Sequence, residues 1–161
     1  MKCWIGIDNG VTGSVAIIFD SGDARLFAMP VKREPNYTKK QSWVQRVNFT
    51  DLVAIFKNLG AEPVMCLLER PMVNPMRFVA TASALRAMEA TLIALEQEKI
   101  PYQIVDSKVW QKDLLQKDTP RHLLKEAAYA VAKRLFPRLD IPRLDLADGL
   151  LIAHYAKKTC I

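Results

Sequence analysis

Histidine and cysteine are nearly absent, with two of the first and three of the second among 161 residues. Cys3, Cys66 and Cys160 are odd in number and far apart, and two lie inside apolar strand-like runs. That pattern argues against a disulfide frame and a Cys/His zinc site, and reads the cysteines as reduced core thiols. His154 lies six residues past Asp148, which turns it to another helix face, and His122 sits at a helix start. No run of about 18 uninterrupted apolar residues occurs, and Met1-Lys2-Cys3-Trp4 leads straight into a strand pattern without a charged leader or cleavage site. The expectation is a cytoplasmic chain with no membrane partner, no internal repeat, and one compact domain over 1–161.

Acidic residues are also in deficit, 17 against 23 Lys and Arg, for a net charge of +6. A surface of that sign attracts polyanions. The excess is uneven. Between Val31 and Asn48 stand Lys32, Arg33, Lys39, Lys40 and Arg46 against the single acid Glu34, which reads as a mobile basic loop. A second group, Lys108, Lys112, Lys117 and Arg121, is diluted by Asp113 and Asp118. Single charges of this kind are often only solvating.

Turn signals at Asn9-Gly10 and Ser21-Gly22-Asp23 divide the first thirty residues into strands over 3–8, 13–19 and 25–29, an antiparallel meander. Thr50 can cap a helix over 51–59 that stops at Gly60, and the apolar run 64–69 reads as a central strand covered on both faces. Ala84, Leu85, Met88, Leu92 and Leu95 have helical spacing within a long helix over about 77–98. A fifth strand over 101–105 follows, then helices over about 107–115, 119–136 and 144–158. The order predicts an α/β fold with a five-stranded mixed sheet, three antiparallel strands plus two parallel ones, flanked by helices.

Against the deficit of acid, four carboxylates stand where chain geometry can gather them. Asp8 ends the first strand, Glu69 ends the apolar run Val64-Met65-Cys66-Leu67-Leu68, and Asp145 and Asp148 open the last helix. An unpaired buried charge is costly, so acids at the ends of apolar strands imply a compensating cation. If the first and fourth strands are adjacent and parallel, Asp8 and Glu69 reach the same sheet edge. Asp145 and Asp148, three apart, share one helical face. Each has a plainer reading: Asp8 as a turn residue, Asp145 as a cap, Glu69 as an ion-pair partner of Arg70, although neighbouring strand residues point to opposite faces. Oxygen-only ligands favour Mg²⁺ or Mn²⁺ over zinc. Two such ions suit in-line phosphodiester hydrolysis, with no small-molecule cofactor.

Ile5-Gly6-Ile7-Asp8-Asn9-Gly10 with Gly13-Ser14-Val15-Ala16, then Leu68-Glu69, then Asp145-Leu146-Ala147-Asp148-Gly149-Leu150 resemble the RuvC family of Holliday junction resolvases, in particular the compact phage-encoded type. The resemblance implies a ribonuclease H-like fold, a homodimer using Mg²⁺ or Mn²⁺, and paired symmetric nicks in a four-way DNA junction, with other branched DNA as further candidate substrates. Position by position it makes Asp8, Glu69, Asp145 and Asp148 the catalytic metal ligands, and for a phage protein it places the chain in the host cytoplasm. The basic residues offer Lys39, Lys40, Arg77, Lys108, Lys112, Lys117 and Arg121 as candidate DNA contacts. By the resemblance Met72, Met76 or Phe78 would wedge against junction bases, although an apolar anchor for the long helix is the plainer role for each, and Ala80, Ala84, Ala87 and Met88 would pack between subunits, which plain core packing explains equally well. Asn9 and Arg70-Pro71-Met72 depart from the residues usual in cellular members.

Three other functions share parts of the pattern. Asp8-Asn9-Gly10-Val11-Thr12 also fits the phosphate hairpin of actin-like phosphotransferases, which need a second nucleotide-binding half. A ribonuclease acting on RNA–DNA hybrids shares the metal chemistry, and a non-cleaving nucleic-acid binding module shares the fold.

Overall fold

A computed structural model of the chain describes residues 1–160. Strands β1 (Lys2–Asp8), β2 (Ser14–Phe19) and β3 (Ala24–Ala28) form the expected meander, and β6 (Glu62–Glu69) and β7 (Tyr102–Val105) extend it in parallel, giving the order β3-β2-β1-β6-β7. The two strands between them, β4 (Val31–Pro35) and β5 (Trp43–Val47), form a separate ribbon. That ribbon corrects the reading of 31–48 as a mobile loop. Its turn is fixed by Asn36, which donates its backbone N–H to the Ser42 carbonyl at 2.8 Å and its side-chain amide to Ser42 Oγ at 3.0 Å. Charges on both sides of a solvated ribbon conceal the period-two alternation that marks a strand.

Helices α1 (Phe49–Lys57), α2 (Phe78–Gln97), α3 (Ser107–Leu114), α4 (Leu124–Leu135) and α5 (Ala147–Thr159) cover the sheet. Asn48, rather than Thr50, caps α1 by accepting the Asp51 N–H. Strand alternation sorts the core into two layers. Cys3, Ile5, Ile7, Val15, Ile17, Cys66 and Leu68 face α1 and α2. Trp4, Ala16, Ile18 and Leu67 face the other way, with Trp110, Ala128, Leu150, Ile152 and Ala153 of α3 to α5. Because β1 and β2 are buried on both faces, their sequences read as continuous apolar runs, each fully buried Ile contributing roughly 1.5–3 kcal/mol.

Period two also decides where the strand-ending acids point. Asp8 is two residues past Gly6 and Glu69 two past Leu67, so both carboxylates lie on the α5 side of the sheet. Helix α5 crosses β1 with backbone almost touching backbone: a Cβ on Gly6 would strike Ala153 and Gly149, and one on Gly149 would strike Ser14. These two missing side chains let α5 descend far enough to bring its first turn beside the end of β1.

Pro75–Gln97, a 3₁₀ turn continuing into α2, is by length and composition long and apolar enough to cross a membrane. Arg86 and Glu89 interrupt it at mid-length, so no unbroken apolar run marks it in the sequence, and one side packs on α1 and β5. Met76, Phe78, Val79, Leu85 and Ile93 stand in solvent.

Candidate metal centre

Three of the four carboxylates singled out in the sequence converge at the carboxyl edge of the sheet. Asp8 arrives on β1, Glu69 on its parallel neighbour β6, and Asp148 in the first turn of α5, buried with 7 % exposure. The start of α5 is tied to β2 by Ser14, whose buried hydroxyl accepts the Gly149 N–H at 3.2 Å and donates to the Leu146 carbonyl at 3.1 Å. A helix N-terminus leaves N–H groups unpaired, and here a neighbouring strand supplies the acceptor.

The charges are visible in the acidities. Burial, then the neighbouring charges of Glu69, Asp148 and Asp145, push the Asp8 carboxyl up to about 8, with Lys125 only partly opposing them. Burial and the Asp148 charge likewise raise Glu69, against a hydrogen bond from Trp110 and the charge of Lys125. Lys125, on α4, donates its ammonium to Asp148. Burial alone would lower its pKa, but the Asp148 hydrogen bond and the charges of Asp148, Asp8 and Glu69 override that and hold the ammonium above its ordinary value.

Asp145 departs from the sequence expectation. The last helix opens with a 3₁₀ turn, Leu144–Leu146, before α5, so Asp145 and Asp148 do not share an α-helical face. Its carboxylate accepts two hydrogen bonds from Arg143, both at 3.1 Å. Glu69 does not pair with Arg70, which instead meets Asp106 at 2.5 Å. Among the described residues no three His, Cys, Asp or Glu side chains close around one point as a finished coordination shell. The physical reason is local: Asp148 turns to Lys125, Glu69 to Trp110 and Asp145 to Arg143.

The donors nonetheless fit a hard divalent cation. They are oxygen-only, two of them are protonation-shifted by burial and mutual repulsion, and a lysine, Lys125, is engaged with Asp148. Asn9 adds an orphan acceptor beside Asp8: its Nδ2 donates to the Ala84 carbonyl at 3.1 Å, while its Oδ1 is buried with no partner among the described residues.

An open cleft of about 700 Å³ begins at Glu69 and Asn9 and is rimmed by Arg70, Arg77 and Lys108. A second groove, about 410 Å³, runs along Lys108, Lys112 and Lys117 to Leu124, next to Lys125. Arg121 is exposed near its end, and Lys39 and Lys40 lie apart, at the tip of the β4–β5 ribbon. Met72, Met76 and Phe78 are exposed rather than anchoring α2, whereas Ala87 and Met88 belong to the core and Ala80 and Ala84 line the cleft. His122 is exposed, and His154 packs edge-on against Phe136.

Sequence reasoning missed Lys125, Trp110 and Ser14. Lys125 looks like any solvating lysine of an amphipathic helix, and Trp110 like a core aromatic. The usable signal for Trp110 was the burial of an indole N–H, which requires an acceptor.

No family model and no curated protein matches the chain. Solved structures do. Thermus thermophilus RuvC in complex with a Holliday junction substrate superposes with a TM-score of 0.65 at 16 % identity, covering 99 % of this chain and 98 % of that one. A second structure of Thermus thermophilus RuvC gives 0.58 at 16 % identity, covering 98 % and 97 %. At such low identity the likeness is one of fold, and over nearly its whole length this chain has the ribonuclease H-like fold of the RuvC resolvases.

Proposed function

We propose that the protein is a divalent-metal-dependent, structure-selective DNA endonuclease that resolves four-way junctions by paired nicks. The observation that carries this reading is the meeting of Asp8, Glu69 and Asp148 from three elements at one sheet edge, with the Asp8 carboxyl pushed up to about 8, beside a cleft rimmed by cations. Asp8, Glu69 and Asp148 would hold Mg²⁺ or Mn²⁺, with Asp145 joining on release from Arg143. Bound there, the ions supply the Lewis acidity and activated water that phosphodiester hydrolysis requires.

The chain's own groups do the rest. Trp110 orients Glu69 through one hydrogen bond, and Lys125 offsets the repulsion among the acids in the metal-free protein. Lys108, Lys112 and Lys117 line a groove that offers cations to phosphates, and Lys108 also borders the cleft that begins at Glu69. The exposed apolar side of α2 is the surface for a second copy, and paired nicking requires two such centres.

A gel with a synthetic four-way junction, a linear duplex and an RNA–DNA hybrid, each with Mg²⁺ and with chelator, tests the reading. Metal-dependent cutting confined to branched DNA is the expected result. Preference for the hybrid would make the protein a ribonuclease H, and binding without cutting would make it a recognition module.

A further inference from the structure

The β4–β5 ribbon lies outside the carboxylate centre, and its composition is unlike that of the rest of the surface. It puts two large aromatics into water, Trp43 at 62 % and Tyr37 at 57 % exposure, among five cations. Strand pairing splits them between two faces. On one face Glu34 binds both Lys32, at 2.7 Å, and Arg46, at 2.5 Å, so that charge is largely neutralised locally. The other face carries Arg33, its guanidinium 5.5 Å from the centre of the Trp43 ring, and the tip adds Lys39 and Lys40. Among the described residues none of these three cations has a carboxylate partner. A guanidinium stacked on an indole is held in place while its N–H edge stays free, which is the arrangement that suits a phosphate oxygen.

The ribbon is also fixed relative to the centre. Arg86 of α2 sits 5.3 Å from the Tyr37 ring, with its Nε–H buried and unpartnered among the described residues. Two residues earlier on the same helix, the Ala84 carbonyl accepts the Asn9 amide beside Asp8. The ribbon and the cleft thus both lie against one segment of α2.

We infer that the β4–β5 ribbon is a clamp on the phosphate backbone of a DNA arm, engaging it through Arg33, Lys39 and Lys40 with Trp43 as the platform. This inference rests on the proposed function for its ligand, and binding experiments without metal separate the two. Of the three tryptophans, Trp4 and Trp110 are buried, so Trp43 supplies the iodide-quenchable fluorescence. In EDTA, saturating the protein with a four-way junction should remove that quenching, and Trp43→Phe should abolish the signal. The variant Arg33→Ala/Lys39→Ala/Lys40→Ala should bind the junction more weakly, with the slope of log affinity against log salt shallower by roughly 0.9 for each phosphate no longer neutralised.

Unchanged affinity and slope in the triple variant, or undiminished iodide access at saturation, overturns the clamp while leaving the nuclease reading intact. Weakened binding accompanied by a changed oligomeric state also overturns it, because the ribbon would then be a subunit contact. A wild-type protein that binds no junction removes both readings together.

Discussion

Trp110, wholly buried on α3, donates its indole N–H to Glu69 Oε2 at 2.7 Å. The bond joins the apolar layer beneath the sheet to a carboxylate at its edge, and fixes one acid of a repelling group. Trp110→Phe keeps an aromatic in the layer but leaves that carboxylate without its donor. The expected loss in denaturant unfolding is about 1–3 kcal/mol, from the vacated volume and the unpaired acceptor together. Removing the bond also raises Glu69 further, so the acidic limb of the cutting rate should move to higher pH. A rate profile that keeps its wild-type position would show that Trp110 only packs.

Asp8 makes a stability prediction of opposite sign. Its carboxyl is raised from an ordinary 3.8 to about 8 in the folded protein. A raised acid favours folding while protonated, so its ionisation erodes stability as pH climbs from about 4 to about 8. Asp8→Asn removes that loss. In chelator the variant should therefore unfold at a higher temperature than wild type, by a margin that grows across this window and levels off above it, while junction cutting disappears. Equal melting temperatures from pH 5 to 8 would mean that the Asp8 charge is already compensated without metal.

Glu69→Gln and Asp148→Asn each remove a negative oxygen while preserving shape. On the proposed mechanism cutting should fall by several orders of magnitude, because these acids would hold the cations, whereas junction affinity in EDTA should hold or rise, because repulsion of the phosphates declines. The assay pair is single-turnover cleavage and a metal-free gel shift. Normal cleavage by either variant would remove that residue from the centre.

How much of this was legible beforehand follows from the range of the interactions. Asp8 and Glu69 could be paired from sequence because strand alternation and parallel crossovers are local rules, and the β1–β6 register bears them out. Asp148 was legible as a member of the group, but its spacing from Asp145 misled: three residues implies one face only if both lie in an α-helix, and Leu144–Leu146 is a 3₁₀ turn. Lys125 was invisible because its importance comes from α4 packing against α5. The β4–β5 ribbon was missed because charge on both faces looks like a loop when only hydrophobic periodicity is read.

Lys108 and Lys112 are exposed along the groove that ends next to Lys125, and neither has a carboxylate partner among the described residues. Neutralising either to Gln should weaken junction binding about equally across sequences and flatten the salt dependence by about one unit for each phosphate released. Fold stability should change by less than about 0.5 kcal/mol, as for most surface substitutions. A salt slope identical to wild type would place the DNA path elsewhere.

Gly149→Ala tests whether the close crossing of α5 sets the centre's geometry. Replacing a helical glycine by alanine ordinarily gains about 1 kcal/mol. Here the new methyl would meet Ser14 Oγ and, at 3.0 Å, the Ser14 backbone carbonyl oxygen, both closer than ordinary contact. Overpacking of this kind costs about 1–3 kcal/mol, enough to cancel or exceed the helical gain. Relief requires α5 to lift from β2, which breaks the Ser14 bonds to Gly149 and Leu146 and carries Asp148 away from Asp8. Cutting should therefore fall far more than stability does, with metal affinity by calorimetry declining in parallel. Adding Ser14→Ala removes the hydroxyl clash but not the backbone one, so the double variant should stay inactive. Recovery of wild-type cutting in that double variant would show that the hydroxyl, rather than the approach of the two backbones, limits where Asp148 can sit.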